Sequence, residues 1–185
     1  ITTLRALAKL RKNANVPKMA SETLSKLRHQ ASLQFRKRET GKDHYDLLPM
    51  DPDKTRGLAR LPKPDKGDIF FDMEGDPLEE RGLQYLFGIY FFKQGSPIYR
   101  SIWAHNYEEE KVAFNQLMDF ISGRLRRYPH AHIYHYGHYE ATVLKRLMSY
   151  YGIREAEVDN LLRYSKLVDL YKIVRESMRI SESEY

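Results

Sequence analysis

The chain has 185 residues, no cysteine and a formal net charge of +6, with 42% hydrophobic and 30% charged residues. These values are typical of a globular protein with one domain of ordinary size plus an extension. Without cysteine, disulfide bonds and thiolate metal sites are excluded, and a cytoplasmic location is the default expectation. No apolar run reaches the roughly 18–20 residues of a membrane span and no signal peptide is recognised, so no membrane partner is expected.

The first 41 residues have the pattern of a helical arm. A leucine repeat that begins at Leu4 predicts a short helix, and Pro17 interrupts it. A second helix is predicted from Ser21, with an apolar stripe along one side. We expect this arm to dock on neighbouring protein rather than to form an independent domain.

Residues 42–67 are predicted to be a connecting arm without packed elements. Together with Gly41 they contain four prolines and three glycines, which disfavour regular structure. Lysines and arginines are concentrated in residues 1–63. This asymmetry indicates a polyanionic partner or an ordinary solvated helix face, and the sequence leaves both interpretations open.

The pattern changes from Asp68 onward. Four strands are predicted, in the segments DIFFDME, QYLFGIYFF, PIYRSIWAH and HAHIYHY. A turn at residues 95–97 joins the second and third strands into an antiparallel hairpin. Helices are predicted over residues 108–125, 140–151 and about 155–164, and KLVDLYKIV passes from an extended stretch into a helix. This order predicts an α/β domain over residues 68–185, with a mixed sheet flanked by helices.

The most informative run is DIFFDMEGDP, in which Asp72 and Glu74 end an apolar strand. Side chains alternate along a strand, so both carboxylates are expected on one face, about 6–7 Å apart along the backbone. Ile69 and Phe71 are expected to face the core, and Gly75 begins a loop where substrate can approach. Two carboxylates held in this way can bind a divalent cation, although an acidic strand end without function is the alternative.

Two further acids complete the set of candidate catalytic residues. Glu140 lies shortly after the fourth predicted strand, at the start of a helix, and Asp169 lies in the extended part of LVDLYKIV. Functional groups gather at such strand ends because the rigid sheet positions them while loops admit substrate. We therefore group both with Asp72 and Glu74.

These segments resemble DEDD-type 3′–5′ exonucleases of the ribonuclease-H-like superfamily. The first family motif, Asp-x-Glu, corresponds to DME at 72–74, and the second, an aromatic residue followed by Asp near a helix start, is approximated by YE at 139–140. DIFFDMEGDP, GLQYLFGIY, YHYGHYEATVLKRLM and LVDLYKIV are also similar to segments of bacterial RecB-like nucleases, large proteins in which such a domain follows a separate nuclease region. The resemblance covers residues 56–185 and implies a ribonuclease-H-like fold.

Two features depart from the family pattern. Glu140 stands where the family has Asp, so its carboxylate reaches one methylene further and the metal geometry can shift. The last family motif, a Tyr followed by an acid, is expected to start at Tyr185. The fourth carboxylate is therefore expected beyond this sequence, in a domain truncated at its carboxyl end.

The resemblance implies phosphodiester hydrolysis with two Mg²⁺ or Mn²⁺ ions, which prefer carboxylate ligands. Asp72 would bridge both ions, Glu74 would bind the ion on the nucleophile side, and Glu140 would hold the second ion. Asp169 would position the site from behind or cap the following helix, and direct contact with a metal is less favoured for it.

Histidines and tyrosines cluster just before Glu140. The histidines at 130, 132, 135 and 138 lack zinc-site spacing, so ordinary surface and edge positions are favoured for them. His138, Tyr139 and Tyr185 are candidates for substrate binding. The tyrosines within the fourth strand could stack on bases, but alternating aromatic residues in a strand favour a role in the core.

Three functions remain open on the sequence. The leading one is a metal-dependent 3′–5′ exonuclease domain of a larger RecB-like nuclease. The second is a non-catalytic nucleic-acid-binding or scaffolding module with a degenerate site, and the third is a ribonuclease-H-like endonuclease. The expected partners are DNA or RNA, as single-stranded ends, and other domains of the parent protein.

Overall fold

The computed structural model describes residues 2–50, 53 and 55–182. The helices are α1 (Leu4–Ala8), α2 (Ser21–Thr40), α3 (Tyr107–Arg127), α4 (Tyr139–Tyr151), α5 (Glu155–Arg163) and α6 (Leu170–Ser177). The strands are β1 (Tyr45–Leu47), β2 (Ile69–Asp76), β3 (Leu83–Lys93), β4 (Ser96–Trp103), β5 (Ile133–His135), β6 (Leu167–Asp169) and β7 (Met178–Ile180). Among the described residues, none of the helices has the combined length and hydrophobicity that a bilayer crossing needs.

The chain divides into two units. The first, unit 1, comprises Ile1–Arg60 and Lys172–Tyr185, and the second, unit 2, comprises Leu61–Tyr171. The limits predicted from the sequence, at 1–41, 42–67 and 68–185, stay a prediction.

Unit 2 is built on a five-stranded sheet in the order β4-β3-β2-β5-β6. Strand β3 is antiparallel to both β4 and β2, whereas β5 runs parallel to both β2 and β6. Helices α3, α4 and α5 supply the other buried side chains of this unit. The predicted mixed α/β sheet flanked by helices is therefore confirmed.

The core of unit 2 follows from strand alternation. In β2 the side chains of Ile69, Phe71 and Met73 are buried, while those between them are exposed. The buried set packs with apolar residues of β3 and with Phe114 and Leu144 from helices α3 and α4. Burial of this apolar surface supplies the main favourable free energy for folding of the unit.

The β3–β4 hairpin turns at Gln94 and Gly95, which both have positive φ angles, of 53° and 83°. Two consecutive residues of this kind are typical of the tight turns that match strand twist. The predicted hairpin is confirmed, but Ser96 and Pro97 belong to β4 rather than to the turn.

Helix α3 begins with reciprocal capping. The side chain of Asn106 accepts a hydrogen bond from the backbone N–H of Glu109, whose carboxylate accepts one from the backbone N–H of His105. Glutamates occupy the first turn and arginines the last, which suits the helix dipole. The sequence fixes the start of this helix locally.

Unit 1 contains α1, α2 and a two-stranded antiparallel sheet of β1 and β7. The Gln30 side-chain amide of α2 donates to the backbone carbonyl of Ile180 at 2.7 Å. Within the predicted connecting arm lie β1 and a short 3₁₀ turn at Gly57–Arg60. The prediction of an arm without packed elements was wrong here, because the partner strand of β1 is far away in the sequence.

Candidate active site

The candidate site lies at the carboxyl edge of the parallel strands. Ile69 of β2 pairs with Ile133 of β5, and His135 of β5 pairs with Asp169 of β6. Because these strands are parallel, their carboxyl ends meet at one edge of the sheet. Loops leave the sheet at such edges, so polar groups from separate segments of the chain can converge there.

Asp72 and Glu74 lie on one face of β2 near this edge. Both are exposed, and the buried residues on either side of them face the core. One oxygen of the Asp72 carboxylate accepts a hydrogen bond from the backbone N–H of Met73 at 3.0 Å. The prediction that Asp72 and Glu74 share one face of the strand is confirmed.

Glu140 lies in the first turn of α4 but is buried, with only 2% exposure. Its Oε2 atom lies 3.3 Å from Nδ1 of His135, whose side chain is also buried. Neither of these two atoms has a hydrogen bond with a described residue. A buried carboxylate oxygen without a hydrogen-bond partner is costly in free energy.

The electrostatics of Asp72 link the three acids. Partial burial raises the pKa of the Asp72 carboxyl group, and the negative charges of Glu140 and Glu74 raise it further, against the lowering effect of the Met73 N–H. Such an effect requires the three carboxylates to be near one another. The structure therefore brings together Asp72, Glu74 and Glu140.

Asp169 is placed differently from the other three acids. Its Oδ1 atom accepts a hydrogen bond of 3.0 Å from the backbone N–H of Gly137, in the loop that leads from β5 into α4. Gly137 has a φ angle of +103°, a conformation that favours glycine. Asp169 thus contacts the loop that precedes α4, the helix of Glu140, and its positioning role stays a prediction.

A second network supports the end of β2. A side chain at Gly75 would lie 2.4 Å from Nε2 of Gln84 and 2.5 Å from the hydroxyl of Tyr139, so glycine leaves room for both groups. The Tyr139 hydroxyl donates to Oε1 of Gln84 at 3.0 Å. The buried Glu110 carboxylate accepts from the Gln84 backbone N–H at 2.5 Å. Sequence reasoning missed Gln84 and Glu110, because their partners come from distant segments.

The predicted substrate-binding residues have different outcomes. His138 and Tyr139 are exposed beside the first turn of α4, whereas Tyr185 lies outside the described residues. Tyr134 is buried and stacks on Phe70, with ring centroids 5.3 Å apart.

The histidine interpretation was wrong at one position. His135, expected at the surface or an edge, is buried, because β5 is flanked by strands on both sides.

The donor set fits a hard divalent cation, because it consists of carboxylates, the charges of Glu74 and Glu140 raise the pKa of Asp72, and Glu140 has an oxygen without a hydrogen-bond partner among the described residues. Within the described residues, however, no three His, Asp or Glu side chains already stand as ligands around one point. The three acids are near one another, but they do not have the geometry of a complete metal-binding site.

Comparisons with known proteins agree with this architecture. A family model of the RNase H superfamily matches residues 69–184, more than half of the chain, and this span includes β2 with its acids and all of α4. Comparisons with curated proteins and with solved structures found no significant match. The mixed sheet is consistent with an RNase H-like fold, and the family indicates nucleic-acid hydrolysis or nucleic-acid binding. The chain belongs to the RNase H superfamily.

Proposed function

We propose that Asp72, Glu74 and Glu140 form the active site of a metal-dependent nuclease that hydrolyses phosphodiester bonds. The observation that carries the proposal is the gathering of three carboxylates at one sheet edge, where the charges of Glu74 and Glu140 raise the pKa of Asp72. Bringing such groups together is unfavourable in a protein that uses them for stability alone. It is favourable where cations neutralise them.

In this proposal the three acids would be the ligands of two Mg²⁺ or Mn²⁺ ions. Asp72 would hold both ions, Glu74 the ion nearer the attacking water, and Glu140 the other. When bound, such ions supply an activated water and neutralise charge on the leaving oxygen. Hard carboxylate ligands suit these cations better than imidazole does.

Other side chains of this chain position the three acids. Asp169 fixes the loop before α4 through the Gly137 N–H, and His135 lies against the buried end of Glu140. His138 and Tyr139 are both exposed, and in this proposal they would contact the nucleotide nearest to the site. Their roles are to orient the acids and the substrate.

The finer proposal is a 3′–5′ exonuclease that acts on single-stranded ends of DNA or RNA, within a larger RecB-like protein. The four similar segments in order support it, together with the family match over residues 69–184. The fourth carboxylate, which the resemblance places after Tyr185, belongs to this proposal as well.

A non-catalytic nucleic-acid-binding module is the second candidate. It is favoured by the absence of a finished group of three ligands among the described residues and by Glu140 in place of the family's Asp. The two candidates differ in one property, because only the nuclease hydrolyses the nucleic acid that it binds.

The test is hydrolysis of end-labelled oligonucleotides with Mn²⁺ or Mg²⁺, resolved by length, by the protein extended past Tyr185 so that the fourth carboxylate of the proposal is included. We expect shortening from the 3′ end that EDTA abolishes and that Asp72→Ala and Glu74→Ala each reduce by at least about a hundredfold. Glu80→Gln is the control, because it removes an exposed carboxylate that has no ion pair with a described residue. Binding without cleavage would select the second candidate, and cleavage that survives Asp72→Ala would place the active site elsewhere.

A further inference from the structure

The two units differ strongly in charge. Unit 1 contains 17 lysines and arginines against 9 aspartates and glutamates, a formal net charge of +8. Unit 2, which holds the candidate active site, contains 14 against 16, a net charge of −2. The net charge of +6 is therefore carried by the unit without the catalytic acids.

Within unit 1 the positive charge is concentrated at the start of the chain. Residues 1–21 include five cations and no acid. We call these five the basic segment: Arg5, Lys9, Arg11, Lys12 and Lys18. All five are exposed, and none forms an ion pair within the part of the chain that the structure describes.

The basic segment is attached to a folded element. Thr3 caps α1 by accepting the Ala6 backbone N–H at 3.1 Å, and Arg28 of α2 donates to the carbonyl of Leu10. The leucines of α1 are partly buried and α1 contacts α2 extensively. The five charges are therefore presented by an ordered surface, and less conformational entropy is lost when they bind a partner.

Acids pair with some of the other cations of unit 1, whereas no acid is present among residues 1–21. Lys26 pairs with Glu22 at 2.7 Å, and Lys37 pairs with Asp43 at 2.7 Å and also with Glu182. A surface that serves only for solubility mixes charges of both signs. A surface of one sign instead attracts ligands of the opposite sign.

We infer that the basic segment binds the sugar–phosphate backbone of nucleic acid independently of its sequence. The inference depends on the proposed function for the identity of the polyanion, and unit 2, with its net charge of −2, does not attract a polyanion through its overall charge. Phosphate contacts by lysine and arginine release counterions and supply most of such binding. The segment would thus raise the affinity for substrate without taking part in hydrolysis.

The test measures binding in EDTA, so that neither metal nor turnover is required. Fluorescence anisotropy of the full chain is recorded with labelled oligodeoxythymidylate and oligouridylate of about 30 nucleotides, at about 50–200 mM salt. Neutralising the basic segment should weaken binding to both probes at least about tenfold and make the log–log salt slope shallower by about 3. The variant changes all five residues to glutamine: Arg5→Gln, Lys9→Gln, Arg11→Gln, Lys12→Gln and Lys18→Gln.

A matched control removes the same charge from unit 2. It neutralises five exposed cations that form no ion pair with a described residue: Lys63→Gln, Lys66→Gln, Lys93→Gln, Arg126→Gln and Lys145→Gln. This control should weaken binding less than about threefold. Equal losses in the two variants, or no loss in the first, would overturn the inference, since net charge alone or another surface would then account for binding.

Two further arms separate the remaining explanations. Vesicles of phosphatidylcholine with anionic phosphatidylglycerol test a lipid surface, and tighter binding to them than to the oligonucleotides would also overturn the inference. Hydrolysis by Asp72→Ala tests the proposed function separately. If hydrolysis did not depend on Asp72, the proposed function would be wrong, but the binding measured in EDTA would be unaffected. The two proposals can therefore fail independently.

Discussion

Nδ1 of His135 lies 3.3 Å from Oε2 of Glu140, and both side chains are only 3% exposed. Neither atom has a hydrogen bond with a described residue. The two atoms are close enough for a small rotation of either side chain to complete a hydrogen bond between them. His135 is therefore in a position to orient Glu140 from behind.

The first prediction separates this positioning role from simple packing. In His135→Leu the buried Glu140 carboxylate loses its neighbouring donor, and we expect a loss of about 1–3 kcal/mol in unfolding free energy and of about 10–100-fold in Mn²⁺ affinity. His135→Asn keeps a donor near the Nδ1 position and should retain Mn²⁺ affinity within about threefold of the original protein. Calorimetry of Mn²⁺ binding provides the measurement.

His130→Asn is the control for the first prediction, because His130 is exposed and should show no change. Equal Mn²⁺ affinities for His135→Leu and His135→Asn would contradict the positioning role.

The second prediction concerns pH and stability. Since burial and the nearby carboxylates raise the folded-state pKa of Asp72, its ionised form costs folding free energy. This cost is absent at low pH, where Asp72 is protonated in both states. It grows as the pH rises from the unfolded pKa through the folded pKa, and it is complete once the pH lies above the folded pKa.

Asp72→Asn should therefore raise the Tm in EDTA by about 1–2 °C at pH 7, a small effect because the side chain is partly solvated. The gain should vanish at about pH 3. Thermal unfolding followed by circular dichroism gives the measurement, with Glu80→Gln as the unaffected control. A lower Tm for Asp72→Asn at neutral pH would show that the carboxylates do not oppose one another.

The third prediction tests the substitution at the second family motif. Glu140→Asp restores the residue type of the family but withdraws the carboxylate by one methylene from its position beside His135. Because α4 fixes the backbone position of residue 140, the shorter side chain cannot move closer to the site. We therefore expect at least about a tenfold loss of Mn²⁺-dependent hydrolysis rather than a gain. An increase in kcat for Glu140→Asp would mean that α4 is placed for the shorter side chain.

The fourth prediction concerns Gly75. A methyl group there would lie 2.4 Å from Nε2 of Gln84 and 2.5 Å from the Tyr139 hydroxyl, so both side chains must shift and the Tyr139–Gln84 hydrogen bond is disturbed. We expect Gly75→Ala to cost about 1–3 kcal/mol in unfolding free energy.

The matched control for Gly75→Ala is Gly123→Ala. Gly123 lies inside α3, and an added methyl group there would meet only a flexible arginine end at 3.8 Å. This change should be neutral or stabilising by up to about 1 kcal/mol. Urea unfolding of both variants provides the measurement, and similar stabilities would contradict the proposed crowding at Gly75.

The sequence was sufficient for features that depend on local pattern. Alternation in β2 predicted that Asp72 and Glu74 share a face, and the positive-φ turn at Gly95 was correctly placed in a hairpin. Both depend on residues close together in the chain, so the physical cause is visible in a short window.

The sequence was not sufficient for features that depend on distant partners. His135 is buried because β2 and β6 lie on either side of β5, and a short strand looks the same whether it is central or at an edge. The Gln84–Glu110 contact joins the start of β3 to α3, and β1 exists only because β7 pairs with it. None of these relationships leaves a local signature.

The parallel pairing of β5 with β2 and β6 also has a consequence for the order of folding. Asp72 and Glu74 belong to a hairpin of neighbouring segments, which closes rapidly, whereas Glu140 and Asp169 reach the same edge only after strands far apart in the sequence have paired. In a partly folded chain, Asp72 and Glu74 would therefore be in place before Glu140 reaches them. The proposed metal site would then be completed only late in folding.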